Sequence, residues 1–149
     1  MKIIQRAALA SDTDFCLGVH HRAYREVCVR QFGPWDEAVQ DTFFKANWKM
    51  GGFEIILCDG VPCGYLRVEV GLQHVDIHEI VVDPDFQNQG IGTFLLRQFI
   101  AQAMALSLSL RLRTLHQNRA LALYQRIGFK ETARTETHTL LEWKLPVEN

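Results

Sequence analysis

A β-branched run, Ile80-Val81-Val82, stops at Asp83-Pro84, and shortly afterwards Gly90 and Gly92 open a long helix-periodic stretch. Few arrangements satisfy that order. Proline cannot donate into a ladder and biases the residue before it away from helix, so the strand ends there. Residues 85–92 then form a short polar loop that feeds a helix N-terminus, where main-chain N–H groups lack partners. Those donors, with the positive end of the helix dipole, suit a phosphate or pyrophosphate. Gly90 and Gly92 carry no Cβ, so an anion can come close to the main chain.

Two other phosphate loops are excluded. A P-loop needs a Gly-Lys-Ser/Thr end, and no lysine occurs between Lys49 and Lys130. A dinucleotide fingerprint needs a third glycine where Leu95 stands. What remains is Gln87-x-x-Gly90-x-Gly92. Taken alone, this pattern is also compatible with a plain strand-to-helix turn.

With 149 residues, the chain suits a single domain spanning residues 1–149. Its net charge is −1, and it has no Lys/Arg block or stripe, so nucleic acid is not an expected partner. No apolar run approaches the length of a membrane span. The first residues, Met1 to Arg6, read as a strand and not as a leader. Cys16, Cys28, Cys58 and Cys63 lack Cys-x-x-Cys spacing. They read as free thiols of a reduced, cytoplasmic compartment, not as ligands, and no metal is expected.

The remaining elements follow from period and punctuation. Residues 2–7 form a strand. Ser11-Asp12-Thr13-Asp14 gives a capping signal for a first helix with Phe15, Val19, Ala23 and Val27 as its core stripe. Gly33-Pro34 ends it, and residues 35–49 form a second helix closed by Gly51-Gly52. Strands follow at 53–58, 61–70 and 75–82, with a hairpin at Asp59-Gly60 and a turn at Gly71. The density of β-branched residues in the last of these makes it central. The helix after Gly92 buries Leu95, Leu96, Phe99, Ile100, Ala103 and Met104, and residues 108–115 alternate as a half-buried strand. A short helix covers 120–127, stopped by Gly128, and strands at 129–135 and 137–145 close the chain. The order is β-α-α-β-β-β-α-β-α-β-β, an α+β fold with a mixed sheet. Its one helical crossover makes the strands around Ile80 and Leu112 parallel neighbours.

Downstream lies Asn118-Arg119-Ala120, then Leu123-Tyr124-x-x-x-Gly128-Phe129. With the glycine loop, in this order and at this separation, the chain resembles the GNAT superfamily of N-acetyltransferases over residues 53–129. The resemblance implies a centrally splayed sheet with acetyl-CoA as cosubstrate. The pantetheine arm would run between the strands ending near Val82 and Leu115. Ile80, Val81 and Val82 would make its strand-like contacts. Gln87, Asn88, Gln89, Gly90, Ile91, Gly92 and Thr93 would wrap the pyrophosphate. In the usual pattern an Asn stands seven residues before the Tyr. Here that position is Gln117, with Asn118 one later, so either amide could reach pantetheine, and Asn118 equally suits helix N-capping. The bottom-up chemistry agrees with the resemblance. If the strands diverge beyond Ile80 or Val81, their main-chain groups lose partners, and a pantetheine arm with two amides can complete such a ladder.

Acetyl transfer needs a neutral amine, so a general base is expected, and the leaving thiolate is helped by a general acid. By the resemblance Tyr124 is that acid; a packed core tyrosine is the other reading. Asp76 and Glu79, on the strand leading into the site, are the candidate bases. Strand alternation puts them on opposite faces, and Glu79, nearer the carbonyl-binding strand, is preferred. His138, Tyr24 and Trp35 are candidate acceptor contacts, with His20, His21, Arg22 and Asp36 nearby on the early helices. No cysteine stands in a motif position for an acetyl-enzyme, so direct attack in a ternary complex is expected. The acceptor is expected to be a small-molecule amine or amino-acid derivative. A protein N-terminus or lysine, or a non-catalytic acyl-CoA-binding module, is the alternative. The chain is open to forming a homodimer.

Overall fold

The computed structural model describes residues 1–147. Its elements run β1 (Ile3–Ala7), α1 (Thr13–Phe32), α2 (Glu37–Trp48), β2 (Phe53–Cys58), β3 (Val61–Val70), β4 (His74–Val82), α3 (Ile91–Leu106), β5 (Ser109–Leu115), α4 (Leu121–Ile127), β6 (Lys130–Arg134) and β7 (His138–Trp143). The expected order holds. Two short 3₁₀ turns, Ala10–Asp12 and Pro84–Phe86, add to it. The seven strands form one mixed sheet in the order β1-β2-β3-β4-β5-β7-β6, with β4 central as its composition suggested.

Residues group into two compact units, and β3 and β4 contribute to both. The first holds Met1–Arg67 and Glu79–Ile91. Here β1 pairs with β2 and β2 with β3, all antiparallel. Cys16 and Val19 of α1, Phe44 of α2, Phe53, Ile55 and Tyr65 of the strands and Val81 of β4 make its core. An aromatic row, Phe44–Trp48–Phe53, stacks at 5.6 and 5.0 Å. The second unit holds Val68–His78 and Gly92–Asn149. Here β4 pairs in parallel with β5 over His74–Ile77 and Ser109–Leu112. β5 continues along β7 to Leu115, opposite His138. The parallel ladder thus stops at Ile77, three residues earlier than the Ile80 divergence expected from the sequence.

Several local expectations change. The capping signal at Ser11 is not used. The Asp12 carboxylate instead accepts from Leu9 N at 2.8 Å and pairs with both terminal nitrogens of Arg6 at 2.8 and 2.9 Å. The first helix buries Cys16, His20 and Cys28 with Val19 and Val27, while Phe15 and Ala23 are only partly covered. The second helix begins at Glu37, because Asp36 is its cap and accepts from Val39 N at 3.1 Å; Trp35 lies before it. The closing strands pair with each other as an antiparallel hairpin, and it is β7, not β6, that lies beside β5. Among the described residues no helix is long and apolar enough to cross a membrane.

Candidate functional site

β4 ends at Val82, and the loop beyond it is built from short polar contacts. Gln87 Nε2 donates to Val82 O at 2.9 Å, which ties the loop back to the strand end. Gln89 Nε2 reaches Asp85 O at 3.4 Å. Asn88 and Gly90 adopt left-handed backbone, with φ of 62° and 86°. At Gly90 an added Cβ would meet no protein atom within 4 Å, so the glycine answers the backbone turn and not internal crowding. α3 starts at Ile91 and has no acidic residue in its first turn, so its positive end is not neutralised from within. These are the features an anion-binding helix start needs. The loop residues Asn88, Gln89 and Gly90 are exposed, and Ile91 is buried.

Of the three strand residues expected beside the cofactor, Val81 sends its side chain into the core of the first unit, while Ile80 and Val82 are half-buried. One residue the sequence reading passed over controls this strand end. A Cβ at Gly64 would lie 2.1 Å from Val81 O, a distance real Cβ atoms do not show, and a tight 3.1 Å from Val82 Cα. β3 carries glycine there because the main chain of its sheet neighbour β4 approaches too closely for a Cβ. An isolated glycine inside a strand pattern is the signal that could have found it.

The two carboxylates of β4 have different surroundings. Asp76 forms a bidentate pair with Arg111, its register partner on β5, at 2.9 and 3.2 Å. Glu79 makes no hydrogen bond among the described residues. Burial pushes its carboxyl up to about 7, while the Arg67 guanidinium pulls the other way and loses. Tyr65 and Cys16 share its surroundings in the first unit, where burial lifts the Tyr65 phenol far above its usual range and pushes the Cys16 thiol up to about 12. The Tyr65 hydroxyl is buried without a partner among the described residues.

Tyr124 sits on α4 in the second unit, its ring edge-on to Phe129 at 6.1 Å. Burial alone pushes its phenol up to about 12, and its hydroxyl takes no hydrogen bond among the described residues. Such a group keeps its proton at any neutral or mildly basic pH. Asn118 is occupied structurally: its Oδ1 accepts from Ala120 N at 2.9 Å and its Nδ2 donates to Thr114 Oγ1 at 2.7 Å. The cap at the start of α4 is Ala120, so Asn118 closes the turn before the helix. Gln117 is exposed. Gly92 and Thr93 lie half-buried in the first turn of α3, and Leu123 Cδ2 would be 3.5 Å from a Cβ on Gly92.

The acceptor candidates fall apart as a group. His138 begins β7 opposite Leu115 and is not central in the hairpin; its Nδ1 meets Thr137 Oγ1 at 2.7 Å. Burial, with Arg113 and His116, holds it below the usual histidine range. Tyr24 packs at a tilt against His20 at 4.6 Å, and Trp35 meets His21 edge-on at 5.8 Å, both in the first unit. His20 is a core residue: its Nε2 faces Gln40 Oε1 at 3.0 Å, its Nδ1 has no partner among the described residues, and burial lowers its pKa. His21 is held by Asp41 at 2.5 Å and by Glu37 at 3.5 Å. No group of three or more His, Cys, Asp or Glu among the described residues could hold a metal ion.

The comparisons with known proteins agree with this geometry. The family model described as the acetyltransferase (GNAT) family matches residues 20–129. An uncharacterised N-acetyltransferase of Methanocaldococcus jannaschii is 31% identical over 140 residues, covering 85% of this chain but 60% of that protein, so the chain spans well under two thirds of its relative's length. Among solved structures, the PaiA N-acetyltransferase of Thermoplasma acidophilum, in complex with coenzyme A, is similar at a TM-score of 0.77 and 15% identity, covering 97% of this chain and 100% of that one. An acetyltransferase of Thermus thermophilus follows at 0.75 and 16%, covering 97% and 98%. Those identities speak to the fold alone. The family model reaches from α1 through the glycine loop to Phe129, and on that ground the chain belongs to the GNAT acetyltransferase family.

Proposed function

We propose that this chain is an acetyl-CoA-dependent N-acetyltransferase that acts as one domain and acetylates a small primary amine by direct attack. The observation that carries the reading is Glu79. It is a desolvated carboxyl without a hydrogen bond, poised at about 7, on the strand that leads into the Gln87–Gly92 loop. In this reading the loop and the start of α3 hold the pyrophosphate of acetyl-CoA. Glu79 accepts the proton of the attacking amine as the N–C bond forms. The tetrahedral intermediate then expels the thiolate, and Tyr124 gives its proton to the sulfur, yielding amide and free CoA. A small acceptor fits the net charge of −1 and the apolar, aromatic early helices better than a basic protein tail does.

The test pairs calorimetry with product detection. Wild type should bind acetyl-CoA and form acetylated product with at least one amine of a panel. Gly90→Val should remain folded and bind acetyl-CoA about tenfold more weakly or worse, because a branched residue strains the left-handed turn and projects where the anion would lie. Equal affinity for nucleotides without pantetheine, or unchanged binding by the folded Gly90→Val variant, overturns the assignment.

A further inference from the structure

We infer that Arg22 is a positioning residue for acetyl-CoA: it neutralises the buried carboxylate at the root of the pyrophosphate loop and locks the turn from which the loop springs. The inference rests on the reading of the Gln87–Gly92 loop given above. Arg22 lies on α1 and reaches across 61 residues of sequence to Asp83, with Nη2 2.5 Å from Oδ2. Asp83 is only 6% exposed, while the Arg22 side chain is half-exposed. Asp83 is held on every side. Its N–H donates to Cys63 O at 2.7 Å, its Oδ1 accepts from Asp85 N at 3.1 Å, and its carbonyl accepts from Phe86 N at 2.8 Å. Asp85 O in turn receives Gln89 Nε2. One chain of contacts thus runs from α1 through Asp83 and Asp85 into the loop.

Electrostatics gives the contact its purpose. Burial would raise the Asp83 carboxyl, but the Arg22 hydrogen bond and the Asp85 N–H outweigh it and hold the group below the usual range. Asp83 therefore stays charged. An unpaired anion at the base of an anion-binding loop would repel the pyrophosphate, and the guanidinium removes that repulsion.

A second, independent observation points the same way. Gly18 stands one turn before Arg22 in the interior of α1, where glycine costs roughly 1 kcal/mol against alanine. A Cβ at Gly18 would meet one atom within 4 Å, Arg22 Nη1 at 3.2 Å. A side chain at Gly18 would share its space with the Arg22 guanidinium, whose other nitrogen holds Asp83.

The experiment measures acetyl-CoA affinity by calorimetry on the full chain, with melting curves as the folding control. Arg22→Ala should weaken binding about tenfold, and should raise KM for acetyl-CoA with kcat nearly unchanged. Arg22→Lys should keep most of the affinity. Arg22→Ala/Asp83→Asn should bind better than Arg22→Ala alone, because no buried charge is left unpaired; melting curves on both variants separate this gain in affinity from a gain in stability alone. Gly18→Leu should reproduce the loss with Arg22 intact, and it decides the matter if Arg22→Ala does not fold. If wild type fails to bind acetyl-CoA, the reading of the loop itself falls. If wild type binds and the folded Arg22→Ala or Gly18→Leu variant binds equally well, or the double variant is no better than Arg22→Ala, the role of Arg22 falls while the loop assignment stands.

Discussion

The two ends of β4 carry the same chemistry in opposite states. In its first four residues the strand is laddered to β5, and Asp76 is neutralised by the Arg111 directly opposite. Beyond Ile77 that ladder ends, and Glu79 is half-buried and takes no hydrogen bond among the described residues. Both Asp76 oxygens are engaged by the Arg111 guanidinium. The Glu79 carboxyl, raised toward neutrality by burial against the pull of Arg67, is suited to accept a proton. Position along one strand, three residues apart, separates an ion-paired carboxylate from one without a hydrogen bond among the described residues.

The comparison is broken most directly at Glu79. Glu79→Gln keeps the volume and removes the proton acceptor, so turnover at pH 7 should fall by about two to four powers of ten, with partial recovery at high pH where the amine deprotonates unaided. The same variant should be more stable than wild type at pH 8 and equal at pH 4. The sign follows from the raised folded pKa: between the ordinary value near 4.5 and about 7 the folded state holds the proton more tightly than the unfolded chain, so wild type loses stability as pH rises through that window. Melting curves at the two pH values check it, and a melting temperature that does not diverge would put Glu79 in water.

Tyr124→Phe should come next, lowering turnover by about one to three powers of ten with acetyl-CoA affinity nearly intact. Unchanged turnover would return Tyr124 to packing against Phe129. The smallest effect belongs to Asp76→Asn: turnover within about twofold of wild type, and a stability loss under about 1 kcal/mol, as for other partly exposed ion pairs. A large rate loss there, with Glu79→Gln mild, would invert the comparison.

The element order was legible because each strand and helix carries its own period and its own stop. The loop was legible because proline, glycine and the polar run stand together. The choice between Asp76 and Glu79 was only half legible: alternation separates their faces, but what covers each face is set by residues far away, Arg111 for one and the α1–β3 packing around Tyr65 for the other. His20 was grouped with the acceptor candidates because histidine is polar, whereas aromatic neighbours on two helices bury it. The insertion of β7 between β5 and β6 is a long-range pairing with no local signal. Asp83 read simply as a strand stop; its partner lies 61 residues earlier, beyond the reach of any spacing rule.

The cysteines have a practical consequence. All four are buried and free. Burial pushes Cys16 and Cys63 to about 12 and about 11 and raises Cys28 as well, so the reactive thiolate is scarce in the folded protein. A colorimetric disulfide reagent added to a running reaction would therefore colour with the coenzyme thiol as it is set free, against a nearly silent protein background. The same reagent in denaturant would count four equivalents per chain, so one dye could report both turnover and loss of the native state.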